Sequence, residues 1–333
     1  MAIERYALAP DLSVCRVLNG MWQVSGAHGT IDPERAVEEM FVYHDAGFTT
    51  WDLADHYGPA EDLIGEFARR FKKERPGQRF EALTKWVPQP GPVSEGQVER
   101  AIERSLRRMG VEALDLLQFR WEYEDESYLT ALTYLAKLRQ RGLIRNLGLT
   151  NFDTEHLRRI VERGIPIVSN QVQHSLIDRR PEGAMADLCR EHGIGLLQYG
   201  SVMGGLLSQR FLGAREPMRF ELDTASLRKY RQMIDAWGGW ALFQELLEAL
   251  DRVALAKGVS IANVAVRYVL QQSQVAGVIV GTRLGFSEHI AETSRVFEFE
   301  LTANDLVVEV EGVLSRARDL SRVIGDCGDE YRR

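Results

Sequence analysis

The chain has 333 residues, 45% of them hydrophobic and 27% charged, which suits one large α/β barrel or two ordinary domains of a soluble protein. A net charge of -7 argues against a nucleic-acid or anionic-membrane surface, and no apolar run reaches the roughly 18 residues that span a bilayer. The cysteines Cys15, Cys189 and Cys327 are scattered and fit neither a disulfide framework nor a metal site; with no signal-peptide core at Met1 to Arg5, a cytoplasmic location is expected.

Val17 to Trp22 reads as a short strand, and Asp32-Pro33-Glu34 opens a helix with Asp32 as cap and Pro33 at the first helical position. That helix stops at Gly47, and Phe48 to Leu53 is the next strand, followed by a helix near Glu61–Arg70. Phe80 to Lys85 is a strand, and the capping-box spacing Ser94 to Gln97 starts a helix that reaches about Met109. The alternation continues through a strand at Leu114–Arg120, a helix at Tyr128–Arg141, a strand at Asn146–Thr150 and a helix at Thr154–Gly164. Strands at Ile167–Gln171 and Ile194–Tyr199 flank a helix at Glu182–His192. A long irregular insert around residues 202–260 follows, with helical pattern from Ser226 to Lys257. A helix at Ile261–Gln272, a strand at Val275–Val280, a helix near Glu288–Thr293 and an amphipathic helix at Thr302–Leu320 complete the pattern, and Tyr331-Arg332-Arg333 reads as a disordered charged tail.

Eight strand-like runs, several continuously apolar as in sheets buried on both faces, each precede a helical run. This predicts a closed (β/α)8 TIM barrel spanning 1–333 as a single domain. An open doubly wound sheet is disfavoured because no GxGxxG follows the first strand.

A barrel carries its active site at the carboxyl ends of its strands. Those ends supply Trp22, Asp52 with Tyr57 in the following loop, Lys85, Arg120, Thr150 with Asn151, Gln171 and Tyr199. A tyrosine beside a lysine is a sensible general acid, since a nearby cation favours the phenolate, and a carboxylate can hold that lysine in place. Asp52 and Lys85 are equally open to reading as a structural ion pair. Trp22, Met21, Trp121 and Tyr123 could wall an apolar pocket for a small-molecule substrate, aromatic or otherwise hydrophobic, or could be barrel-top packing. Trp237-Gly238-Gly239-Trp240 is either a rigid turn covering a substrate or a satellite core.

The stretch Trp51-Asp52-Leu53-Ala54-Asp55-His56-Tyr57-Gly58-Pro59-Ala60-Glu61 resembles the signature of the aldo-keto reductases. Leu83-Thr84-Lys85, Gly148-Leu149-Thr150-Asn151-Phe152, Ser169-Asn170-Gln171-Val172 and Val280-Gly281-Thr282-Arg283 resemble later motifs of that family, in order, from about Val17 to Leu301. The resemblance implies a barrel that binds NADPH/NADP+ without a Rossmann fold and interconverts an aldehyde or ketone with an alcohol by hydride transfer. By position it implies a catalytic set of Asp52, Tyr57 and Lys85, with Tyr57 as general acid/base. It implies that Thr150, Asn151 and Gln171 hold the nicotinamide carboxamide and that Tyr199 stacks on the ring. Gly200, Ser201, Gly204 and Leu206 would run along the pyrophosphate, and Arg283 and Glu292 would meet the adenosine phosphate end, where an arginine favours NADPH. Thr293 stands where the family usually has an asparagine.

The main departure is Arg120, which stands where the family normally has a catalytic histidine followed by Trp. Arginine donates hydrogen bonds and adds a fixed charge, but it cannot shuttle a proton near neutral pH. Arg120 could be an oxyanion donor, a recognition group for a substrate carboxylate or phosphate, or a block on ordinary carbonyl reduction. In the last case the barrel would perform an elimination, an alkene reduction or a redox-neutral step, or would serve as a cofactor-sensing subunit. A local ion pair with Glu122, Glu124 or Asp125 is the plain alternative, and His56 or His174 could replace the missing imidazole. The oligomeric state is left open, since no sustained heptad pattern is present.

Overall fold

An antiparallel hairpin that the residue pattern did not announce, β1 (Arg5–Ala9) and β2 (Leu12–Cys15), begins the computed structural model, which describes residues 3–26, 31–89, 91–122, 125–286 and 288–332. The parallel strands follow as β3 (Val17–Gly20), β4 (Thr50–Asp52), β5 (Glu81–Trp86), β6 (Leu114–Arg120), β7 (Ile144–Thr150), β8 (Ser169–Gln173), β9 (Gly195–Tyr199) and β10 (Val275–Gly281). They hydrogen-bond in chain order and β10 returns to β3, so the sheet closes into an eight-stranded barrel. The (β/α)8 expectation is therefore met, with strand ends shifted by a residue or two; the first strand stops at Gly20, and Trp22–Ser25 form a 3-10 turn instead.

The sequence dictates which side chains enter the barrel. Alternate residues of a strand face opposite sides, so Leu116, Gln118 and Arg120 point inward along β6 at rising heights. The lowest layer is apolar: Leu18, Leu83, Leu116, Leu197 and Ala276 pack against Leu8, Leu12 and Val14 of the hairpin, which plugs the floor. The layer above is polar, with Lys85 level with Gln118 and Thr150 level with both Arg120 and Gln171. Burying a polar layer is tolerable here because Lys85, Gln118 and Gln171 all bond to Asp52.

Outside the barrel run α1 (Pro33–Asp45), α2 (Ala60–Glu74), α3 (Glu95–Met109), α4 (Ser127–Gln140), α5 (Thr154–Glu162) and α6 (Ala184–His192). The caps read from sequence form: Asp32 Oδ1 accepts from the amides of Glu34 at 3.0 Å and Arg35 at 3.3 Å, and Gln97 Oε1 accepts from the Ser94 amide at 2.8 Å. The insert after β9 contains α7 (Ala225–Trp237) and α8 (Trp240–Lys257). The Trp237-Gly238-Gly239-Trp240 segment between them is packing, since both indoles are buried and Trp240 lies against Phe243 and Phe211. After α9 (Ile261–Leu270) and α10 (Ile290–Ser294), the expected helix at Thr302–Leu320 is broken into α11 (Ala303–Glu309), α12 (Glu311–Leu314) and α13 (Leu320–Val323). The break turns the chain at Val310 and buries Val310, Val313, Leu314 and Leu320 together, which one straight helix would not do.

The carboxyl-terminal tail is also folded. Residues Asp329–Tyr331 make a 3-10 turn at the mouth of the barrel. Arg180, almost wholly buried, pins the segment: it donates to the Asp326 carbonyl at 2.8 Å and to Glu330 at 2.9 Å while paired with Asp178 at 2.7 Å.

Candidate active site

The polar layer forms the floor of the site. Lys85 Nζ donates to Asp52 Oδ2 at 2.6 Å and to the Leu53 carbonyl at 2.9 Å. Asp52 Oδ1 accepts from Gln118 Nε2 at 2.9 Å and from Gln171 Nε2 at 2.7 Å, and Gln171 Nε2 also approaches Gln118 Oε1 at 2.7 Å. Three buried polar side chains thus satisfy one carboxylate from both edges, which offsets the cost of burying the ion pair. Burial pulls the Lys85 ammonium below its ordinary value, with Asp52 opposing that shift.

Tyr57 stands above this floor. The loop after β4 is held by Leu53 N to the Leu83 carbonyl at 3.0 Å, Asp55 N to the Lys85 carbonyl at 3.0 Å and Tyr57 N to the Ala54 carbonyl at 3.1 Å. The Tyr57 ring meets Trp22 edge-on with centroids 4.9 Å apart, and Lys85 Nζ lies 5.1 Å from its centroid. The phenol is raised above its ordinary value, first by burial and then by the Asp52 carboxylate, while Arg120 pulls it back down. The expected lowering toward neutrality by Lys85 is therefore corrected: Asp52 neutralises that lysine at contact distance, and desolvation dominates.

Arg120 does two things at once. It forms an ion pair with Glu122, and it lines the cavity with its guanidinium 4.7 Å from the ring centroid of Tyr331. The local pair therefore does not turn it away from the site. Glu124 and Tyr123 lie outside the described residues.

The cavity at the barrel mouth measures about 430 Å³, and its walls include Trp22, Asp52, Tyr57, Arg120, Thr150, Asn151, Gln171, Tyr199, Gly200 and Gly204. Tyr199 donates to Asn151 Oδ1 at 2.9 Å, and Asn151 adopts a left-handed φ of 59° that asparagine tolerates. The buried hydroxyls of Thr150 and, just behind the wall, Ser201 have no hydrogen-bond partner among the described residues.

Other sequence candidates stand elsewhere. Leu206 is buried in the core, and Arg283 and Glu292 are exposed outside the cavity. Trp121 does not line the cavity; it is buried beside Phe119, with ring centroids 5.9 Å apart, so its expected place on the substrate wall is corrected. Met21 is likewise buried away from it. His174 is turned into a buried contact with Glu182 at 3.1 Å and does not reach the site, whereas His56 lies on the rim, bonded to Asp55 at 3.1 Å.

Sequence reading missed Gln23 and Gln118, and it missed Lys229 and Tyr230 of α7 and Tyr331 of the tail. Gln118 had a signal: it is two residues before Arg120 on an inward-facing register. Lys229 and Tyr331 had none, because only the fold of the insert and the tail brings them to the mouth.

The aldo/keto reductase family model matches residues 16–308. Flagellar radial spoke protein 5 of Chlamydomonas reinhardtii is 29% identical over 65% of this chain and 48% of its own, so this chain spans about half the length of that relative. L-glyceraldehyde 3-phosphate reductase of Escherichia coli O157:H7 is 25% identical over 83% of each chain, and the NADH-specific methylglyoxal reductase of Escherichia coli K12 is 21% identical over 92% of this chain and 97% of its own. Among solved structures, a glycerol dehydrogenase from Gluconobacter oxydans superposes with a TM-score of 0.76 at 23% identity over 98% of both chains, a likeness of fold. The chain belongs to the aldo/keto reductase family of oxidoreductases, which use nicotinamide cofactors on small-molecule substrates.

Proposed function

We propose that this protein is an NADPH-dependent reductase of aldehydes or ketones, working on a single barrel domain with Tyr57 as general acid. The observation that carries this is the Asp52–Lys85 pair, buried at 2.6 Å beneath Tyr57 inside a cavity that Arg120 also enters. A bound nicotinamide cofactor supplies hydride. The walls fit such a group: the buried hydroxyl of Thr150 lacks a partner among the described residues, Tyr199 offers an aromatic face, and Gly200 and Gly204 allow close approach. Thr150, Asn151 and Gln171 would hold the carboxamide. Gln171 already gives its amide N–H to Asp52, which leaves its carbonyl as the atom open to a ligand.

The chain's own residues then divide the work. Tyr57 holds its proton, because burial and Asp52 disfavour the phenolate, and releases it to the substrate oxygen as charge develops there. Arg120 supplies N–H donors and fixed positive charge on the same side, stabilising that oxygen in a poorly solvated pocket. Arg283, exposed and without a carboxylate in ion-pair reach among the described residues, is suited to a 2′-phosphate and hence to NADPH.

Replacing Tyr57 by Phe tests the assignment. NADPH oxidation with an aldehyde is expected to fall by at least about 10²-fold, the usual worth of a general acid, while NADPH binding followed by fluorescence stays within about twofold. Full activity in that variant would remove Tyr57 from the chemistry.

A further inference from the structure

The upper half of the cavity holds two cations that the reductase chemistry does not fully employ. Lys229 reaches in from α7 with its ammonium 4.4 Å from the ring centroid of Tyr331 and 5.2 Å from that of Tyr199, and it bonds to the Tyr331 hydroxyl. Arg120 lies 4.7 Å from the centroid of the same Tyr331 ring. Acidic groups balance only one of them. Glu122 pairs with Arg120, Asp52 is already taken by Lys85, Gln118 and Gln171, and among the described residues no carboxylate is within ion-pair reach of Lys229. Arg120 Nε is buried and makes no hydrogen bond among the described residues. A half-buried ammonium whose acceptor is a phenol hydroxyl, beside a guanidinium that lines the same cavity, is a setting that favours a bound anion.

We propose that Arg120 and Lys229, arranged about the ring of Tyr331, form an anion subsite that takes a carboxylate or phosphate carried by the carbonyl substrate. This rests on the carbonyl reduction proposed above and names its substrate class. A guanidinium has five donors, so Arg120 keeps N–H groups for a ligand beside the one that Glu122 takes. Lys229 closes the second side, and Tyr331 gives up the ammonium to the stronger acceptor.

The test pairs charged with neutral aldehydes: 4-oxobutanoate against butanal for the carboxylate arm, and glyceraldehyde 3-phosphate against glyceraldehyde for the phosphate arm. Wild type is expected to favour the charged member of at least one pair by tenfold or more in kcat/KM. Lys229→Met should cut that preference at least tenfold, through KM, and Lys229→Arg should keep most of it. Calorimetry of the matching alcohols, 4-hydroxybutanoate and glycerol 3-phosphate, on the NADPH complex gives a readout free of turnover; the favoured one should bind Lys229→Met at least tenfold more weakly than wild type. Equal use of charged and neutral aldehydes by wild type overturns the subsite and leaves the reductase assignment standing. Wild type that binds the acidic alcohol through Lys229 but reduces no aldehyde overturns the reductase assignment and leaves the subsite. A Lys229→Met variant that keeps the preference but loses NADPH affinity assigns Lys229 to the cofactor phosphates and overturns the proposal.

Discussion

Arg120 is the residue on which the chemistry of this chain turns. It stands at the end of β6 where a proton-sharing imidazole would be usual in the family, and an arginine side chain brings donors and charge but no proton to share. It also acts on Tyr57: burial and Asp52 raise the phenol, and Arg120 opposes them. The sign of the pH dependence follows. Reduction needs the protonated phenol, and a phenol raised above the ordinary tyrosine value near 10 stays protonated throughout the neutral and mildly alkaline range. The kcat/KM for reduction should therefore show no alkaline limb from Tyr57 below about pH 9. Alcohol oxidation needs the phenolate and should still be rising at that pH. Removing the opposing cation in Arg120→Leu should move the rising limb of alcohol oxidation further alkaline; a shift to lower pH would show that Arg120 does not govern the phenol.

Motif residues at strand ends were legible because a parallel barrel fixes their height: Asp52, Lys85, Thr150 and Gln171 all fall on inward registers at the carboxyl side. What each bonds to was not legible. The convergence of Gln118 and Gln171 on a single carboxylate depends on barrel closure, which brings residues 66 and 119 positions from Asp52 to its Oδ1.

At the scale of elements, the sequence pattern revealed the alternation of strands and helices and missed the pieces that close the two ends. The hairpin of β1 and β2 is too short for its alternation to stand out, and it is stable only as a plug against Leu83, Leu116 and Leu197. The tail reads as polar and disordered, yet Asp326 accepts from the Thr154 amide at 2.8 Å and Tyr331 meets Tyr199 across 132 positions at 3.2 Å. Its seat requires Gly328, whose φ is 89° and whose Cα packs so close to the backbone just after β7 that a Cβ would strike the Asn151 carbonyl oxygen. Gly328→Ala should therefore release the tail alone. Hydrogen exchange is expected to rise at least tenfold across residues 325–332 and at the Thr154 amide, with the barrel strands unchanged, and KM should rise with it. Unaltered exchange in the tail would mean that the segment does not need this contact.

For the whole molecule, the division of the barrel into an apolar floor and a polar upper layer explains how stability and chemistry coexist in one chain. Hydrophobic burial below and around the sheet holds the frame, and the frame holds the Asp52–Lys85 pair in a low-dielectric position that an open surface could not sustain. Among the described residues no single helix is long and apolar enough to cross a membrane. The most direct test of the central claim follows the hydride itself. Wild type is incubated with NADPH carrying deuterium at the transferable C4 position and with the neutral and charged aldehydes, and the products are analysed by mass and NMR. Carbonyl reduction places one deuterium on the carbinol carbon for each NADPH oxidised. NADPH oxidised without deuterium at that carbon, or deuterium arriving at another carbon of a product that keeps its carbonyl, would contradict it and show that Arg120 has turned the barrel to a different reaction.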